Sequence, residues 1–182
     1  MSGRTVVLGL GNPLMGDDGF GLYAMSHLQD DWFTPSSVEF VDGGTWGLSL
    51  LPVVDGAERL LVLDAIDLGR DPGTVIELRG HEIPAFLERT KLSPHQVDLR
   101  DVLALCEWRG TLPANVAVVG VQPERVELSS DLSPKIESAL GAVVACAAAR
   151  LQSWGVECFE HVGAAGPSAT AGEASEVATP KP

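Results

Sequence analysis

Thr5-Val6-Val7-Leu8-Gly9-Leu10-Gly11-Asn12-Pro13-Leu14-Met15-Gly16-Asp17-Asp18-Gly19 opens as a short apolar run and passes through glycines into a pair of carboxylates. The run, residues 5–10, shows no alternation, which reads as a strand buried on both faces. Three segments of the same kind follow at residues 38–42, 59–64 and 115–121. Between them, apolar residues recur at helical spacing: Gly21, Ala24, Met25 and Leu28; Leu99, Val102, Leu103 and Cys106; Ile136, Leu140, Val143, Ala147 and Leu151. Ser133-Pro134 supplies an N-cap and a first-turn proline for the last of these, and Gly155 closes it. A shorter helix is expected after Thr45, ending by Gly56.

Strands alternating with helices predict an α/β fold: a twisted, mostly parallel five-stranded sheet with helices on both faces. Residues 73–78 form the fifth strand. They follow the previous strand too closely for a covering helix, so this strand is expected to run antiparallel at an edge.

The chain has 182 residues, 45% of them hydrophobic, which suits one domain with a sizeable core. That domain is expected over residues 1–162. Residues 163–182 are rich in Ala, Gly, Ser and Pro, lack a periodic apolar face, and are expected to be a disordered tail. Twelve Lys+Arg against 25 Asp+Glu give a net charge of −13, which argues against a nucleic-acid partner. No apolar run approaches the roughly 20 residues of a membrane-spanning helix, and the early Gly9 argues against a signal peptide. A cytoplasmic location without membrane insertion is expected. Cys106, Cys146 and Cys158 are odd in number and apolar in setting, which predicts reduced, buried thiols.

In a sheet of this type ligands bind beyond the carboxyl ends of the strands. Those positions are acidic here: Asp17 and Asp18, then Asp42 before Gly43-Gly44-Thr45, then Asp64 and Asp67. A dinucleotide reading of the first turn fails, because Leu14 stands where the third glycine of GxGxxG belongs and a pyrophosphate would meet Asp17 and Asp18. Each carboxylate alone has a plain explanation as a helix-terminus or turn residue. Ser93-Pro94-His95-Gln96 reads as a rigid loop presenting one imidazole, and one imidazole with two carboxylates suits a borderline divalent ion such as zinc or nickel.

Together, Gly9-Leu10-Gly11-Asn12 with Asp17-Asp18-Gly19, Asp42-Gly43-Gly44-Thr45-Trp46-Gly47, Leu63-Asp64-Ala65 and Ser93-Pro94-His95-Gln96 resemble the nickel–iron hydrogenase maturation endopeptidases. The similarity runs from about Arg4 to about Val156, and Gly120-Val121-Gln122-Pro123-Glu124 resembles a fifth family motif. The resemblance implies removal of a short C-terminal extension from the hydrogenase large-subunit precursor after nickel insertion. It implies Asp18, Asp64 and His95 as the catalytic and nickel-binding residues, with Asp18 standing where many relatives carry Glu. The segment Asp42, Gly43, Gly44 and Thr45 is implied to hold the substrate tail. The nickel would be carried by the precursor, with none tightly bound by the free protein, which is expected to be monomeric. The terminal tail departs from the family pattern.

The chemistry of cleavage stays open between a metal-polarised carbonyl, a water activated near Asp18 or Asp64, and a proton-sharing carboxylate pair. No Ser-His or Cys-His pairing and no GxSxG elbow suggests a covalent nucleophile. One alternative is a nickel-dependent docking chaperone that binds the precursor without cutting it. Another is a peptidyl-tRNA hydrolase, which shares the opening Gly-Leu-Gly-Asn-Pro but needs a basic surface, whereas the pI here is near 4.5.

Overall fold

Strands without alternation need cover on both sides, and the sheet receives it. The computed structural model describes the backbone of residues 3–80, 82–83 and 94–161, with side chains for all of these but 94–98. Five strands, β1 (Thr5–Leu10), β3 (Val38–Gly44), β4 (Arg59–Ala65), β5 (Val75–Arg79) and β6 (Asn115–Val121), form one sheet in the order β3-β1-β4-β6-β5. Between β1 and β3, chain order places β2 (Trp32–Phe33), which pairs antiparallel with β7 (Phe159–Glu160) in a separate ribbon. The first, third, fourth and sixth strands run parallel, and β5 lies antiparallel to β6 at the edge, as its short connection requires.

One face is covered by α1 (Phe20–Asp31) and, later in the chain, a helix over Leu140–Ser153. Phe20, Ala24, Leu28, Val143, Ala147 and Leu151 pack there with Val7, Leu61, Leu63 and Val119. The opposite face carries a 3-10 turn (Gly47–Leu50), α2 (Leu51–Val54) and α3 (Pro94–Arg109). Leu50, Val54, Leu99, Val102 and Cys106 are buried there against Val6, Leu8, Leu60, Val62 and Val118. Each large apolar side chain so buried contributes about 1.5–3 kcal/mol before entropic costs.

The structure corrects the sequence reading at three places. The helix expected to run unbroken from Pro134 is two: α4 (Pro134–Glu137) and α5 (Leu140–Ser153). Ser133 precedes the first of them but makes no side-chain cap; its hydroxyl donates to Asp17 and its carbonyl accepts the Ile136 and Glu137 N–H groups. His95 stands in the first turn of α3 and not in a loop. The β2·β7 ribbon, where Phe33 and Phe159 stack at 4.7 Å between ring centroids, was not foreseen. Cys106 and Cys158 are buried and Cys146 half-buried, all three as free thiols. Among the described residues no helix is long and apolar enough to cross a membrane. The expected tail lies outside the described residues.

Candidate active site

The site begins with register. Gly9 of β1 pairs with Asp42 on β3 and with Leu63 on β4, so the carboxyl ends of three neighbouring strands reach the same level. Asp64 is the next residue of β4 and is only 2% exposed; its Oδ1 accepts a hydrogen bond from the Ala65 N–H at 2.8 Å. The chain leaves β1 through Gly11, whose φ of 120° suits glycine alone. A Cβ at Gly11 would also run into the Asp18 carbonyl oxygen, so this glycine lets the loop fold back over the strand end.

The loop then forms a 3-10 turn, Asp17–Gly19, that packs against β4. Asp18, 8% exposed, accepts a hydrogen bond at Oδ2 from the Asn12 N–H at 3.0 Å. Two buried carboxylates are thus carried by elements in contact, one at the end of β4 and one above the end of β1. Gly120 of β6, opposite Asp64 in the register, supports the same corner, since a Cβ there would collide with the Asp64 carbonyl oxygen.

Asp17 goes the other way. It is fully buried, and its carboxylate accepts the N–H groups of Glu124 (3.0 Å), Arg125 (2.9 Å) and Ser133 (2.7 Å) together with the Ser133 hydroxyl (3.0 Å). The sequence pair Asp17-Asp18 therefore divides: Asp17 holds the segment after β6, and Asp18 holds the loop after β1. Asp42 and Thr45 are exposed at the end of edge strand β3, with Gly43 buried beneath them. The Gly11 N–H bonds to the Gly44 carbonyl at 3.1 Å, which joins this segment to the loop after β1.

Both carboxylates are held by backbone donors, Asp18 by the Asn12 N–H and Asp64 by the Ala65 N–H. Two such groups at adjacent strand ends suit a borderline divalent ion once a nitrogen ligand joins. Among the described residues no third His, Cys, Asp or Glu side chain completes such a group. The His95 side chain lies outside them. Its backbone is the second residue of α3, a helix packed on the 3-10 turn just beyond Thr45.

A cavity of about 300 Å³ opens elsewhere, between α3 and the start of β6, lined by Ile83, Leu103, Pro113 and Val116 among others. It sits at the end of the sheet opposite the carboxylates and, among the described residues, carries no carboxylate pair.

Comparison with known proteins places the chain in a family and a fold. The model of the HycI hydrogenase maturation protease family matches residues 22–150. HupD of Rhodobacter capsulatus, a hydrogenase expression/formation protein, is 37% identical over 155 residues, covering 85% of this chain and 74% of its own. The hydrogenase 2 maturation protease of Escherichia coli is 37% identical over 157 residues, covering 86% and 95%. The solved hydrogenase maturating endopeptidase HybD of E. coli superposes with a TM-score of 0.83 at 36% identity, over 87% of this chain and 98% of that one. With matches this long at the level of family, sequence and fold, the chain belongs to the hydrogenase maturation proteases.

Proposed function

We propose that this protease removes the C-terminal extension of a nickel–iron hydrogenase large-subunit precursor once nickel has been inserted, and that Asp18, Asp64 and His95 read the nickel held by that substrate. The observation that carries the reading is the pair of buried carboxylates, Asp18 and Asp64, on two contacting elements at the carboxyl end of the sheet. Two carboxylates with one imidazole can join an ion that substrate thiolates already hold, whereas a closed protein site would compete for it.

Hydrolysis needs a water that loses a proton as it attacks the scissile carbonyl, and a leaving amine that gains one. A carboxylate within reach of both can take and return that proton. Asp18 and Asp64 are the candidates, and a cation beside them favours their ionised forms. Asp42, Gly43, Gly44 and Thr45 would hold the extended tail, because they end the edge strand next to this corner and leave Asp42 and Thr45 open to solvent.

The test is a gel-shift cleavage assay on an extended large subunit prepared with and without nickel. Shortening of the nickel-loaded precursor alone supports the reading, and binding without shortening would make the protein a docking chaperone. Asp64→Ala with full cleavage would remove the carboxylate mechanism, and His95→Ala with full nickel-gated cleavage would remove the nickel reading.

A further inference from the structure

Beyond the support that Gly120 gives, the segment Gly120-Val121-Gln122-Pro123-Glu124 begins a stretch of chain that touches both the loop after Asp64 and the loop that carries Asp18. Gln122 is 5% exposed. Its Oε1 accepts the N–H groups of Leu68 (2.8 Å) and Arg70 (3.1 Å), and its Nε2 donates to Asp67 Oδ1 at 2.9 Å. Backbone bonds continue the join: the Ile66 N–H to the Val121 carbonyl at 2.8 Å, and the Gly73 N–H to the Gln122 carbonyl at 2.9 Å. The loop leaving Asp64 is thereby fastened to the end of β6.

A few residues on, the same segment is fastened to the other loop. The Asp17 carboxylate gathers the Glu124, Arg125 and Ser133 donors from more than 100 residues away in sequence. The Gly16 N–H bonds to the Ser129 carbonyl at 2.8 Å, and the Ser129 N–H to the Leu14 carbonyl at 3.0 Å. Asp17 immediately precedes Asp18, so whatever orients the first sets the 3-10 turn that presents the second. All four donors to this fully buried carboxylate come from that one segment, and hydrogen bonds to an ionised acceptor are the stronger kind.

We propose that residues 122–133 are a spacer that fixes the separation of Asp18 from Asp64, with Asp17 and Gln122 as its two positioning residues. The proposal rests on the reading that these carboxylates act on a nickel-bearing precursor. A pair of ligands carried on separate elements can match an ion that arrives with its own thiolates only if their distance is set beforehand, and groups that orient ligands are worth roughly 10–100-fold in metal affinity or activity. The spacer also supplies a means of holding that distance with the short Asp18 side chain.

The experiment compares wild type with Asp17→Asn and Gln122→Leu. Three quantities are measured: kcat and KM on nickel-loaded precursor, the binding preference for nickel-loaded over nickel-free precursor, and amide hydrogen exchange. We expect faster exchange at Glu124, Arg125 and Ser133 in Asp17→Asn, and at Leu68 and Arg70 in Gln122→Leu. In both variants kcat should fall about tenfold or more with KM nearly unchanged, and the nickel preference should shrink by a similar factor.

A merely structural role would lower the folded fraction and leave the preference intact, which would overturn the proposal. Faster exchange with unchanged cleavage and preference would overturn it as well. If Asp17→Asn fails to fold, Gln122→Leu carries the test, since it leaves the Asp17 cluster whole. Absence of nickel preference in wild type would instead overturn the underlying reading, and it is seen before any variant is made.

Discussion

Asp17 and Asp18 are adjacent, chemically identical and buried, yet one holds a distant segment while the other holds the loop after β1. Sequence placed both on the acidic rim and offered a helix-terminus role for either; in the structure the N-cap of α1 is Gly19, Asp18 accepts the Asn12 N–H, and Asp17 accepts donors from the segment after β6. The motifs were legible as motifs because their residue types are unusual together. Partners more than 100 residues away were not, since a hydrogen bond leaves no local periodicity. Gly120 illustrates the cost of such contacts. Gly120→Ala should lower the unfolding free energy by about 1–3 kcal/mol, measured by urea denaturation, because the added methyl meets the Asp64 backbone rather than a side chain that can turn aside. The cysteines make a second case: burial pushes all three thiols above their ordinary range. Native Cys106 and Cys158 should therefore be alkylated far more slowly at pH 8 than in the unfolded chain, as thiol labelling followed by mass spectrometry would register.

At the level of elements, the long strands and helices were readable because each buries enough apolar surface to leave a period in the sequence. The two-residue strands β2 and β7 are too short to leave one, and they pair across most of the chain. The break between α4 and α5, at residues 138–139, was missed because Ile136 and Leu140 keep helical spacing across it. Helix α5 is joined to edge strand β5 by Arg150, whose guanidinium donates through Nε to Glu77 at 2.6 Å, while Arg79 donates to the same carboxylate at 2.5 Å. Burial raises the Glu77 pKa, but the hydrogen bonds and charges of Arg79 and Arg150 outweigh it and hold the carboxyl below its ordinary value. A lowered folded pKa means that this stabilisation is present above the ordinary Glu value of about 4.3 and is lost as pH falls through the folded one. Glu77→Gln should cost about 1 kcal/mol at pH 7 in thermal unfolding, with the gap to wild type closing as the pH drops below that range.

Across the whole molecule, fold class came through because parallel strands read as continuous apolar runs, and the antiparallel edge followed from the nine residues, 66–74, that separate β4 from β5. The order β3-β1-β4-β6-β5 explains why the site was only partly visible in sequence. Residues that follow β1 and β4, far apart in the chain, become neighbours because those strands pair, and the segment after β6 reaches both. The sheet thus acts as a platform whose carboxyl end concentrates buried acids. The central claim is that this corner cuts a precursor only when the precursor brings nickel. The most direct measurement mixes the protein with an extended large subunit, nickel-loaded in one tube and nickel-free in another, and follows chain length over time. The account predicts shortening in the first tube alone and none with Asp64→Ala; equal shortening in both tubes would contradict it.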